Sequence, residues 1–138
     1  MQVSDIMTYD VVSVLPNDMV LDVAKKMAQY NIGVVPVCEN NVLLGVITDR
    51  DITLRLVANE LSASNVKACD IMSSSAVSIS PSSSIEAASN IMANAQYRRL
   101  MVTEAGKVVG IVSIGDLAKI RGFYTETAKA LSEISSDK

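Results

Sequence analysis

The chain repeats itself. Displaced by 65 residues, Asp5-Ile6-Met7 falls on Asp70-Ile71-Met72, Val12-Ser13 on Val77-Ser78, Pro16 on Pro81, Met27-Ala28 on Met92-Ala93, Gly45 on Gly110 and Asp51 on Asp116. The register runs without a gap from Val3 to Val57 against Ala68 to Gly122, and 12 of its 55 positions are identical. Many of the others exchange one branched apolar residue for another. A register held that long indicates two copies of one supersecondary unit. A unit so short does not bury its apolar face alone, so the copies are expected to pack on each other. Ligands favour the clefts that such packing makes.

At 138 residues the chain is about one ordinary domain. Hydrophobic residues make up 49% and aromatics only 4%, so the core must come from Val, Ile, Leu, Met and Ala. Net charge is −3 with no basic tract, which gives nonspecific nucleic-acid binding little electrostatic support, and five aromatics (four Tyr, one Phe) offer few stacking platforms for a single strand. No apolar run approaches the roughly 20 residues that span a bilayer. The start, Met1-Gln2-Val3-Ser4-Asp5, lacks the pattern of a secretory signal, so a cytoplasmic protein is expected. With no histidine a Cys/His zinc site is excluded, and no metal site is expected. Cys38 and Cys69 read as reduced packing thiols.

In the first copy, Val11 to Leu15 reads as a strand ended by Pro16-Asn17. Val20, Val23, Ala24, Met27 and Ala28 follow at helical spacing, giving an amphipathic helix from about Asp18 to Gln29. Val34 to Val37 and Val42 to Thr48 read as a hairpin around Glu39-Asn40-Asn41, and a helix follows from about Asp51 to Ala58. The second copy repeats the order. Its strand Ala76 to Ile79 sits in a serine-rich stretch, Ser73 to Ser84. Ser83-x-x-Glu86 forms a capping box for the helix through Ile85, Ala88 and Met92. The strands Leu100 to Thr103 and Lys107 to Ser113 flank Glu104-Ala105-Gly106, and Asp116 opens the last helix. Residues 3–58 and 68–122 are therefore the two copies, 59–67 a linker, and 123–138 a tail. In that tail Ala128, Leu131 and Ile134 share a helical face. It either lies on its own domain or helps clasp a second subunit.

Gly45-Val46-Ile47-Thr48-Asp49-Arg50-Asp51 recurs as Gly110-Ile111-Val112-Ser113-Ile114-Gly115-Asp116. The spacing leaves two readings open. Hydroxyl-x-x-acid at a helix start is a capping box, which stabilises any helix by about 1 kcal/mol. The same geometry offers a hydroxyl, free N–H groups that favour anions, and a carboxylate able to accept the hydroxyls of a ribose. Arg98-Arg99, just before a strand, suits phosphate through the planar guanidinium fork, or else is a solvated strand end or salt-bridged pair. Arg50 is a further candidate cation. No general base is evident and nothing would activate Cys38 as a nucleophile, so no catalytic residues are assigned and no enzyme activity is expected.

These residues resemble a tandem pair of cystathionine β-synthase (CBS) domains, a Bateman module. They are Asp-Ile-Met in each copy, the turns at Val14 to Pro16 and Ile79 to Pro81, Asn31 to Val37, Gln96 to Val102, and the Gly-h-h-Thr/Ser-x-x-Asp motif. The resemblance covers residues 3 to 122 and is nearest to small stand-alone CBS-pair proteins. It implies an α/β (α+β) fold of two βαββα repeats packed with pseudo-twofold symmetry, plus a short C-terminal helix. It also implies two clefts for an adenosyl ligand such as AMP, ADP, ATP or S-adenosylmethionine. By position, one cleft takes Thr8, Val12, Ile32, Gly33, Arg99, Ile111, Ser113 and Asp116. The other takes Ser73, Val77, Tyr97, Arg98, Val46, Thr48, Arg50 and Asp51. Gly33-Val34 stands where the other copy has Arg98-Arg99, and Met101 where Pro36 stands, so the clefts differ. The implied function is a regulatory, non-catalytic sensor of an adenosyl nucleotide, with or without magnesium, needing no cofactor. A ligand-free dimerisation or interaction module with vestigial clefts is the alternative. A homodimer is implied, with Ala24, Met27, Ala88 and Met92 on the helices that such a seam would use, unless those helices only cover their own sheets. The protein partner stays unknown.

Overall fold

The computed structural model describes residues 1–74, 77–120 and 124–135. The expected strand start at Ala76, the copy boundary at Gly122 and Phe123, and the end of the tail from Ser136 lie outside them. The chain divides into two compact units, Val12–Ala76 and Met1–Val11 with Val77–Lys138. The units are not the sequence copies: each joins the leading segment of one copy to the body of the other.

The unit Val12–Ala76 carries helix α1 (Val20–Tyr30), strands β1 (Val34–Glu39) and β2 (Val42–Thr48), helix α2 (Asp49–Asp51) running into a π-turn at Ile52–Val57, and a short helix α3 (Ala68–Ile71). β1 and β2 pair antiparallel with a bulge after Val37. Asn40 and Asn41 take left-handed φ values of 52° and 66°, the conformation a tight hairpin asks of its turn and that Asn tolerates. Val20, Val23 and Met27 of α1 bury against Val35, Val37 and Ile47, whereas Ala28 is exposed. Asn31 caps α1 in the left-handed region at φ 54°.

The expected strand Val11–Leu15 is reduced to one parallel bridge between Val14 and Val37. Its ladder is cut short by chemistry. The Val14 N–H donates to Pro36 O at 3.1 Å and Cys38 N–H to Val14 O at 2.9 Å, but Pro36 itself has no N–H to extend the pairing. The segment 59–67 is tied down along the start of α1, where Val20 N–H donates to Val66 O at 2.8 Å and Leu21 N–H to Ala63 O at 3.0 Å. The second helix begins at Asp49, two residues before its expected start.

The other unit carries a 3₁₀ turn (Val3–Asp5), strand β3 (Ser78–Ile79), helix α4 (Ile85–Ala95), strands β4 (Arg99–Glu104) and β5 (Lys107–Ser113), and helices α5 (Ile114–Ala118) and α6 (Tyr124–Ile134). β3 runs parallel to β4, pairing Ser78 with Met101 and Ile79 with Val102. Met101 keeps the N–H that Pro36 lacks, and here two residues pair where Val14 made one bridge. β4 and β5 form the second hairpin, again with one bulge.

The cap of α4 is Ser84, whose Oγ accepts from Ala87 N–H at 3.1 Å. This corrects the expected Ser83/Glu86 capping box: the helix starts one residue later, and the third residue then carries no acid. Ala88 and Met92 are fully buried and Met27 is 8% exposed, so these three cover their own unit and cannot form an external seam. α6 packs on α4 and α5. Its inner face is Thr127, Ala130 and Ile134, while Ala128 and Leu131, expected to share the face of Ile134, point outward. Ser89 Oγ donates to Glu126 O at 3.4 Å and Gln96 Nε2 to Glu133 O at 3.2 Å, so the tail lies on its own unit. Among the described residues no helix is long and apolar enough to cross a membrane.

Candidate ligand-binding sites

Both sites start from Asp-Ile-Met. The Asp5 carboxylate accepts from Gln2 N–H at 2.7 Å and the Asp70 carboxylate from Lys67 N–H at 3.1 Å, each closing a short turn. The methionines then lie against the glycines of the hairpins. A Cβ on Gly110 would stand 2.6 Å from Met7 Sδ, and one on Gly45 would stand 2.7 Å from Ser73 O and 2.9 Å from Met72 Sδ. Glycine is required there because the leading segment crosses directly over the strand. The crossing ends in a two-bond bridge. Thr8 and Ile111 exchange N–H···O bonds of 2.9 and 3.0 Å, and Ser73 and Val46 do the same at 2.9 and 3.0 Å. Thr8 and Ser73 are thereby held beside the strands that lead to Ser113 and Thr48.

Each strand ends in a reciprocal capping box. Asp116 N–H donates to Ser113 Oγ at 3.1 Å and Ser113 N–H to Asp116 Oδ2 at 2.8 Å. Asp51 N–H donates to Thr48 Oγ1 at 3.0 Å and Thr48 N–H to Asp51 Oδ2 at 2.9 Å. The capping reading is thus realised in both copies. It uses one oxygen of each carboxylate and leaves Oδ1 for other work. The residue before β1 or β4 joins in, since Gly33 O accepts from Asp49 N–H at 3.0 Å and Arg98 O from Ile114 N–H at 2.8 Å.

Beyond this shared frame the sites part. Asp51 Oδ1 lies 3.8 Å from Arg55 Nη2, and Arg55 Nη1 donates to Ile71 O at 2.8 Å. Asp116 Oδ1 has no partner among the described residues. The residue Asp116 lines an open pocket of about 560 Å³ together with Met1, Ile6, Lys119 and Ile120.

The structure brings Thr8, Arg99, Ile111, Ser113 and Asp116 into one unit, and Val46, Thr48, Arg50, Asp51 and Ser73 into the other. Arg99 pairs across the hairpin with Ser113, which sets it at the end of the strand that bears the site. Val12, Ile32 and Gly33 belong to the unit of Asp51, and Val77, Tyr97 and Arg98 to that of Asp116. Arg50, Arg98 and Arg99 are exposed and make no ion pair among the described residues. The cation that meets the Asp51 carboxylate is Arg55, whereas Arg50, the residue just before Asp51, is exposed. Arg55 and Lys119 escaped the sequence reading, although an arginine four residues after an acid on a helix is a recognisable signal for the first.

Among the described residues no group of three or more His, Cys, Asp or Glu is placed to hold a metal ion. Burial pushes the Cys38 thiol above its ordinary pKa, the opposite of what a nucleophile needs.

A family model described as CBS domain matches residues 3–58 and 68–122. The CBS domain-containing protein YhcV of Bacillus subtilis is 41% identical over 133 residues, which cover 96% of this chain and 94% of that protein. Among solved structures, Hypoxic Response Protein I with two coordinated zinc ions superposes with a TM-score of 0.80 at 29% identity, over 86% of this chain and 98% of that one. The CBS domain protein PAE2072 from Pyrobaculum aerophilum, complexed with AMP, gives a TM-score of 0.82 at 25% identity, over 93% and 98%.

Proposed function

The chain belongs to the CBS domain family, and from that premise we propose that it is a regulatory, non-catalytic module that binds an adenosyl nucleotide and passes the binding on as a change in conformation. One observation carries this reading. In each unit the leading segment, the hairpin and the capping box converge on an aspartate with one oxygen held by the backbone. Asp116 also lines an open pocket, and its Oδ1 has no partner among the described residues. A carboxylate fixed in that way accepts the two hydroxyls of a ribose without reorganising. The AMP complex of a structural neighbour supports the ligand class. The nucleotide serves as signal rather than cofactor, and any shift in conformation is limited by its differential affinity for the two states.

A thermal-shift panel with AMP, ADP, ATP and S-adenosylmethionine, with and without magnesium, tests the reading. A ligand at 100 times its dissociation constant adds about 2.7 kcal/mol, a rise of several degrees in a domain of this size. A selective rise is expected. A flat panel sinks the sensor reading and favours a ligand-free interaction module. One surface supports that alternative: Leu54, Val57 and Leu61 are 51%, 62% and 47% exposed in sequence around the π-turn, an apolar strip that a second copy or a partner protein would cover.

A further inference from the structure

The two repeats carry their cations one residue apart, and the displacement changes what each cation does. Lys119 occupies the repeat position of Leu54, and Ile120 that of Arg55. Arg55 stands four residues beyond Asp51, one helical turn on. It reaches back to the carboxylate while its other nitrogen is anchored on Ile71 O. Lys119 stands three residues beyond Asp116, makes no ion pair among the described residues, and forms part of the cavity wall that Asp116 also lines. The volume, about 560 Å³, falls in the range of small-molecule sites.

We propose that the repeats have diverged into one working site and one closed site: the Asp116 cavity takes the ligand, with Lys119 selecting for an anionic group on it, and Arg55 fills the ligand's place at Asp51. The inference rests on the adenosyl reading above and sharpens it. At Asp116 the backbone already satisfies Oδ2, so Oδ1 accepts from the ligand's hydroxyls. The Lys119 ammonium brings three donors and a point charge, which suit a phosphate and gain nothing from an uncharged nucleoside. At Asp51 a ligand hydroxyl would have to displace a guanidinium that is already bonded on its other side.

Calorimetric titration of the full chain with AMP and with adenosine tests this, using D116N and K119M as variants. Asn at position 116 retains an oxygen for the Ser113 N–H, so the cap survives, and a melting curve confirms that the variant folds. The wild type should bind one AMP per chain, and D116N should leave no residual AMP binding. K119M should weaken AMP by about tenfold, the scale of one charge-assisted contact, while adenosine stays within about twofold and the salt dependence of AMP binding falls. Two AMP per chain, residual binding in folded D116N, or equal losses for AMP and adenosine in K119M would each overturn the divergence while leaving the adenosyl reading standing. A wild type that binds neither AMP nor adenosine would overturn the divergence, and the adenosyl reading falls with it when ADP, ATP and S-adenosylmethionine are silent as well.

Discussion

The two units are built from the same parts, yet only one carries a further helix, α6, across its helices. In the unit of Asp116, α6 lies across α4 and α5 and buries Ile134 to 2% exposure. In the unit of Asp51 the corresponding helical region shows Leu21, Leu54 and Val57 to solvent. The core of that unit has a smaller cover of its own, since Ala63 and Val66 of the segment 59–67 pack against it. Val23, Val35 and Ile47 are fully buried there, as are Ala88, Met92 and Val112 in the unit that carries α6. What α6 adds is an outer layer, and its worth can be measured. Ile134→Ala should cost about 3–4 kcal/mol by opening a cavity against α4, whereas Leu131→Ala on the outer face should stay within about 0.5 kcal/mol. Urea denaturation of both variants checks this. Equal losses would mean that the outward face of α6 is covered in solution.

The crossing of the leading segments sharpens the comparison next. At Gly45 an added Cβ meets a backbone oxygen at 2.7 Å, which cannot step aside; at Gly110 its nearest neighbour at 2.6 Å is Met7 Sδ, and the backbone oxygen of Thr8 stands back at 3.0 Å. Gly45→Ala should therefore cost about 2–3 kcal/mol and Gly110→Ala about 1 kcal/mol, read as a difference in urea midpoint. Matching losses would show that the carbonyls of Ser73 and Thr8 yield equally. Smaller still are the caps. Thr48→Ala and Ser113→Ala should each cost about 1 kcal/mol, and here the units should agree, because the reciprocal bonds match to within about 0.1 Å.

How far all this was legible in the sequence depends on the range of the interaction. The strands Val42–Thr48 and Lys107–Ser113 were readable to the residue, because an apolar run that follows a turn of Asn-Asn or Ala-Gly is a local signal. So were the capping boxes at Thr48 and Ser113. The strand at Val11–Leu15 failed because its length is decided by Pro36 on the partner strand, which a local reading does not consult. Ser83 and Ser84 are both good caps, and the choice between them was made by which register buries Ile85. Ala128, Leu131 and Ile134 do share a face by spacing, but α4 fits the neighbouring stripe through Thr127 and Ala130. The exchange of leading segments is invisible to a local reading, although the family resemblance implies it by setting Thr8 with Asp116 and Ser73 with Asp51. The partner of Thr8 is Ile111, and the partner of Ser73 is Val46, while the sequence register invites each segment to be read with its own copy. At the site, the acid and the hydroxyl were foreseen, but the cations that distinguish the two aspartates were not. Arg50 adjoins Asp51 in sequence, yet only Arg55 comes round on the same side of the helix.

The smallest expected effect separates the units by pH. Cys38 is buried, and burial raises its thiol above the ordinary value of 9.0. Its repeat counterpart is Thr103, whose Oγ1 donates to Ser78 Oγ at 3.1 Å. A thiol whose folded pKa is raised holds its proton longer in the folded state than in the unfolded one. That contribution is fully present below the unfolded value and is lost as pH rises past it and through the folded value. Stability should thus decline above about pH 9 through the Asp51 unit, with no matching decline from Thr103. Cys38→Thr tests the assignment by borrowing the other unit's solution, since Ser13 stands at the repeat position of Ser78 and can serve as the acceptor. Melting temperatures between pH 7 and pH 10 should converge or cross for wild type and variant. The native Cys38 should also alkylate more slowly than the half-buried Cys69 at pH 8, a difference that denaturant erases. A wild-type pH slope that survives Cys38→Thr would place its origin in other groups and remove this distinction between the two units.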